Sequence, residues 1–153
     1  MRISAKADYA VRAMVELSAT SHDGHVKGER IATAQGIPLK FLENILLELR
    51  HAGLVSSQRG AEGGYRLAQP SGEISVAAVI RAVDGPLANV RGAPPESLEY
   101  AGTAGPLRDV WVALRASVRS VLESVTLADI AAGSLPAHVA ELLEPGDAWR
   151  ARR

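Results

Sequence analysis

The chain contains no cysteine. That absence removes disulfides, thiolate zinc sites and the usual thiolate-held iron–sulfur cluster as sources of structure or chemistry. Aromatic residues are scarce, at 4%. A core must then be assembled from Leu, Val, Ile and Ala, which suits helices packed on helices. Neither sign of charge dominates, since 17 Lys and Arg offset 17 Asp and Glu. Zero net charge gives no general attraction to a polyanion, so contact with nucleic acid needs cations placed locally. Long apolar runs are also missing. Residues 1–19 carry Arg2, Lys6, Asp8, Arg12 and Glu16, a pattern of neither a signal peptide nor a membrane span. The expected location is cytoplasmic, with no membrane partner.

What is present is a hydrophobic share of 47% over 153 residues, enough for one ordinary domain with an appendage. Ser4 can cap a helix running to about Ala19, with Tyr9, Ala10, Ala13, Met14 and Leu17 at helical spacing. A polar turn, His22-Asp23-Gly24-His25, precedes a short helix from about Gly28 to Gln35, with Ile31 and Ala34 facing inward. Gly36 supplies a left-handed stop. Pro38 opens the next helix, to about Ala52, whose expected buried face is Phe41, Leu42, Ile45, Leu46 and Leu49. Gly53 ends it.

Leu54 to Ser57 and Tyr65 to Leu67 read as two short strands around the turn Arg59-Gly60-Ala61-Glu62-Gly63-Gly64. Ser75 caps a helix from Val76 to Val83. Residues 86–105, rich in Pro and Gly, read as a loop or linker. Pro106 then opens a longer helix to about Val125. Leu107, Trp111, Leu114, Val118, Val121, Leu122 and Val125 form its apolar stripe. Thr126 and Asp129 have capping-box spacing for a short helix ending near Gly133, and Pro136 to Leu143 can add a turn or two.

Helix, short helix, glycine turn, helix and glycine-rich hairpin is the order of a winged helix-turn-helix. A major groove ~12 Å wide admits one helix, and a hairpin beside it can reach the backbone or the minor groove. Arg50, His51, Arg59 and Arg66 against Glu62 make a local basic stripe on a neutral chain. A structural turn requires glycine but not Arg59 beside it. Gly60 allows close backbone approach at the tip, and Arg66 adds charge unless it pairs with Glu62. The apolar stripe is too long to leave exposed and predicts burial against the same helix of a second copy. The fold class is therefore mainly α: a winged helix-turn-helix with a small β-hairpin wing and a long C-terminal dimerisation helix. The expected organisation is a DNA-binding domain over 1–85, a linker and possible sensing loop over 86–105, dimerisation helices over 106–133, and a partly disordered extension over 134–153.

Residues 1–14, 35–43, 46–57 and 59–67, with the helix end Ile80-Arg-Ala-Val-Asp-Gly85, resemble the Rrf-two family of bacterial regulators. That family includes the iron–sulfur cluster assembly regulator, the nitric-oxide-sensing repressor and the cysteine-metabolism repressor. The resemblance is close over 1–85 and looser over Pro106–Gly133. It implies a homodimeric repressor on a palindromic operator in double-stranded DNA. Leu39, Lys40, Glu43 and Asn44 would face base edges, and Arg59 would enter the minor groove. Lys6, Tyr9, Arg50 and Ser57 would contact phosphates. Cluster-binding members carry three cysteines in the linker; here Pro86 to Pro106 has none, so no cofactor is expected.

Other functions fit the sequence less well. No glycine-rich loop opens a helix after a strand, and no nucleophile–base set stands out, so enzymatic chemistry is not expected. His22 and His25 lack the i, i+4 spacing of helical metal ligands, and no metal is expected there. The competing class is a winged-helix protein-interaction module that no longer binds DNA. Within the regulator reading two roles stay open for the linker. One is an effector site, with an unknown small molecule held against Trp111 and the Val76–Val83 helix; the other is a plain spacer.

Overall fold

The computed structural model describes residues 1–20 and 24–152. His22 and Asp23 of the expected polar turn lie outside them. Helix α1 spans Ala5–Thr20, α2 Gly28–Gln35 and α3 Leu39–His51. Strands β1, Val55–Gln58, and β2, Gly64–Leu67, form an antiparallel hairpin with Val55 opposite Leu67 and Ser57 opposite Tyr65. Helix α4 spans Val76–Asp84, α5 Leu107–Leu122, α6 Leu127–Ala132 and α7 Ala137–Glu141. Among the described residues no helix is long and apolar enough to cross a membrane.

The helix boundaries follow from the residues that satisfy their free ends. Ser4 Oγ accepts from the Ala7 N–H at 2.9 Å, and Ser75 Oγ from the Ala78 N–H at 3.1 Å. Thr126 and Asp129 close a reciprocal capping box on α6. Gly36, at φ 62°, lets α2 stop and the chain turn at once into α3. Each device satisfies N–H or C=O groups that a helix end leaves bare.

One core unites these elements. Helix α1 lies at its centre, contributing Ala10, Ala13, Met14 and Leu17, each wholly buried. Around it pack Ile31 of α2, the face Leu42, Ile45, Leu46 and Leu49 of α3, and Val76, Val79, Ile80 and Val83 of α4. The C-terminal region returns to this core. The Val76 N–H donates to Val125 O at 2.9 Å and the Leu127 N–H to Ile74 O at 3.0 Å. Leu127 and Val139 are buried with the rest.

Some expected placements change. Phe41 is 61% exposed: the buried residues 42, 45, 46 and 49 already follow i, i+3, i+4, i+7, and Phe41 lies about 100° round the helix from Leu42. On α2 it is Ala32, not Ala34, that is buried beside Ile31; with Gly28 these residues keep the same i, i+3, i+4 spacing. Helix α5 ends at Leu122, short of Val125, because pairing with Val76 draws the chain out of the helix. Val125 is only 6% exposed and belongs to the chain's own core, so it is not available to a second copy. Residues 86–105 carry two short 3-10 turns, Pro95–Ser97 and Gly102–Ala104, with Pro95 and Leu98 buried. After α7 the chain makes another such turn, Gly146–Trp149, where the Trp149 indole donates to Leu143 O at 2.8 Å.

Candidate nucleic-acid interface

Burying Leu42, Ile45, Leu46 and Leu49 leaves the opposite face of α3 in solvent. Lys40, Glu43 and Asn44 are exposed there, and Leu39 sits at the helix start, 36% exposed. Phe41 joins them, its ring edge-on to Tyr9 at 6.4 Å and 70°. The Arg12 guanidinium lies 4.9 Å from the centre of the Tyr9 ring. Tyr9 is thus held half-buried between α1 and the start of α3.

The hairpin is fixed to the same end of the molecule. Val26 pairs with Tyr65 through two backbone hydrogen bonds of 2.7 Å, adding a short third edge to the ribbon. This contact requires glycine at 64: φ is 140°, and a Cβ would lie 2.4 Å from Val26 O. Gly63 is equally constrained, since a Cβ there would meet Gln58 O at 2.1 Å. At the tip, Lys27 Nζ donates to Gly60 O at 2.6 Å. The wing is therefore pinned to the N-terminus of α2 from both strand and tip.

Between α3 and the wing lies a groove lined by Glu43, Arg50, Ser57, Arg59 and Gly60 of the sequence-derived set. Arg50 Nη1 donates to Ser57 Oγ at 3.1 Å, linking helix to strand across it. Lys27, Glu29, Gln58 and Tyr65 line the same groove, and sequence reading did not assign them. The available signal was local: Val26-Lys27 stands directly before the α2 glycine, and Tyr65 follows two glycines that permit close backbone approach. Lys40 and Asn44 lie outside this groove, and Leu39 borders a separate shallow hollow with Pro38 and Glu29. Lys6 is paired with Glu48 of α3 at 2.8 Å. Arg66 pairs in register with Ser56, so side-chain alternation puts it on the ribbon face away from Tyr65. Among the described residues it makes no ion pair with Glu62.

Comparison with known proteins agrees with this geometry. The Rrf2 family, described as iron-dependent transcriptional regulators, matches residues 3–133. The candidate HTH-type transcriptional regulator Rv1287 of Mycobacterium tuberculosis is 57% identical over 144 residues, 94% of this chain and 89% of the relative. The structure of CymR, the global cysteine regulator of Bacillus subtilis, superposes with a TM-score of 0.74 at 33% identity, covering 88% of this chain and 98% of CymR. That of T. potens IscR gives 0.71 at 35% identity, covering 87% and 88%. A winged helix with its wing pinned beside an exposed helix, matched over most of its length at these identities, places this chain in the Rrf2 family of transcriptional regulators.

Proposed function

We propose that this protein is a sequence-specific DNA-binding repressor that acts as a homodimer on a palindromic operator. Such a protein is a regulator and not an enzyme. The observation that carries the reading is the pinned wing: Arg59 and Gly60 are held beside the exposed face of α3, so helix and tip can engage one duplex together. Lys40, Glu43 and Asn44 reach base edges, Glu43 accepting from a cytosine amino group. Phe41 offers an apolar contact suited to a thymine methyl. Arg59 enters the minor groove, and Arg50, Ser57 and Lys27 border the phosphates. Lys6 and Tyr9 act from α1, Lys6 exchanging Glu48 for phosphate.

Dimerisation is supported by helix α5. It is 16 residues long and amphipathic, yet none of its residues is buried within the chain. Val110 is 55% and Leu114 38% exposed, while Leu107, Trp111 and Val118 are half-covered. Val118, Val121 and Leu122 also line an apolar cleft with Ile3, Ile80 and Leu87. A second copy of α5 laid along Leu107, Trp111, Leu114 and Val118 covers this surface.

Iron appears in the description of the family, but the donors here do not fit a thiolate-held cluster. The chain has no cysteine, and residues 86–106 hold only Glu96, Glu99 and Tyr100 as side-chain ligands of any strength. Among the described residues no group of three His, Asp or Glu is gathered for a metal. No step of the proposed function passes through iron.

The test is retention of fragments of the source genome by the purified protein, followed by footprinting and promoter fusions. The expected footprint is an imperfect palindrome with half-sites ~10 bp, or a multiple, apart between centres. Affinity should fall steeply with salt, and bound promoters should fall silent. Failure to retain any fragment at low salt would refute DNA binding, and a single asymmetric half-site would refute the dimeric reading.

A further inference from the structure

The groove between α4, the 86–96 segment and α5 shares no lining residue with the groove between α3 and the wing. It is lined by Arg81, Arg115, Arg119 and Glu96, with Leu87 and Pro94 as apolar wall. Three guanidiniums here share two carboxylates. Arg81 hydrogen-bonds Glu123, and Arg115 hydrogen-bonds Glu96. The Arg119 side chain comes within 3.9 Å of Glu123 but makes no hydrogen bond among the described residues. One cation is left with unused donors. The field favours negative charge: Glu123 is held below its ordinary pKa chiefly by Arg81.

The 86–96 segment beside this groove bends sharply. Ala88 and Arg91, adjacent to the lining residues Leu87, Asn89 and Gly92, both adopt left-handed backbone, with φ 54° and 51°. Val90 and Ala93 exchange backbone hydrogen bonds of 2.9 and 3.0 Å around that bend. Non-glycine residues hold such conformations only where surrounding structure enforces them, and they gather at ligand sites.

We propose that this groove binds a small metabolite bearing two or more anionic oxygens, carboxylate or phosphate, on a short apolar stem. Arg119 makes the first contact, and Arg115 joins as the ligand displaces Glu96. Leu87 and Pro94 cover the stem. Guanidinium forks match such oxygens in bidentate geometry. Arg81 belongs to the winged helix, whereas Arg115 and Arg119 belong to α5. An anion held by Arg115 and Arg119 that also reaches Arg81 on the groove's α4 side biases the angle between the two and so alters the spacing of the recognition helices, to the extent that it prefers one arrangement. This regulatory consequence rests on the DNA-binding reading; the binding itself does not.

Titration calorimetry of the full-length protein without DNA tests it, using inorganic phosphate, succinate and citrate at matched ionic strength. Saturable binding of at least one probe is expected, at one site per chain. Arg119→Gln should weaken it at least about tenfold, the scale of one charge-assisted hydrogen bond. Glu96→Gln should tighten it by freeing Arg115. A preference for phosphate assigns a phosphorylated ligand, and a preference for succinate or citrate a carboxylic one. Absence of saturable binding, or binding indifferent to both substitutions, overturns the proposal. A parallel DNA shift assay keeps the readings apart: DNA retained without anion binding removes only this site, whereas anion binding without DNA retention removes only its regulatory consequence.

Discussion

Residues 5–84 and residues 107–122 are both built from amphipathic helices, yet they end in opposite states. In the first region every apolar face finds a partner within the chain: α1 is surrounded, and the inner faces of α3 and α4 are closed off. In the second, a helix of comparable quality has no buried residue. The difference shows that amphipathicity states a need for burial without saying where it is met. The winged helix meets that need together with Val125, Leu127 and Val139 of the returning C-terminal region, and α5 does so in part through Val121 and Leu122, leaving Val110 and Leu114 to solvent.

Substitutions of matched type sharpen the contrast. Leu46→Ala, at a wholly buried site, should lower folding stability by about 2–5 kcal/mol, seen in urea unfolding at fixed protomer concentration. A loss under about 1 kcal/mol would mean that the core tolerates collapse there. On the proposed pairing of α5 helices, Leu114→Glu should leave the winged helix folded but raise the dimer dissociation constant by roughly two orders of magnitude, through an unpaired carboxylate at the apolar contact. Sedimentation at micromolar protein would show monomer, and an unchanged dimer would place the interface elsewhere.

Effects on DNA should be smaller and should belong to the first region. Arg59→Ala should reduce the salt slope of binding by roughly 1 if the side chain acts on backbone charge. Glu43→Ala should instead relax base choice at one position, by about 1–3 kcal/mol if a good contact is lost. Equal losses on every sequence for both variants would break the division between tip and helix.

The smallest effect concerns the contact between the two regions. Glu123, at the end of α5, is held below its ordinary pKa of 4.5 mainly by the hydrogen bond from Arg81 of α4. A depressed carboxyl contributes stability that is present above its unfolded pKa and is lost as pH falls through the folded value. The thermal midpoint should therefore fall slightly more steeply below pH 4.5 in the wild type than in Glu123→Gln. Identical acid slopes would show that this exposed pair contributes nothing measurable.

Much of the fold was legible because its signals are local. Ser4, Ser75 and Thr126 announce helix starts, Gly36 announces a stop, and the hairpin glycines mark the wing. Phe41 misleads because periodicity ranks it among apolar neighbours, while the choice of face depends on what lies opposite. Val125 misleads in the same way: it continues the stripe of α5, but pairing with Val76 takes it into the core. The wing site was half legible. Arg59 and Gly60 stand out beside one another, whereas Lys27 and Glu29 become part of the groove only when the start of α2 meets the wing.

The order of elements, the winged-helix class and the exclusion of thiolate chemistry are readable from the residues alone, because capping, helical period and the absence of a donor are properties of short stretches or of composition. That Lys27 holds the wing tip, that Glu48 holds Lys6, and that Arg81 shares a groove with Arg115 and Arg119 emerges from the folded chain. Those side chains are brought together by packing around α1, and no local propensity encodes the distance between segments that meet only when the core closes.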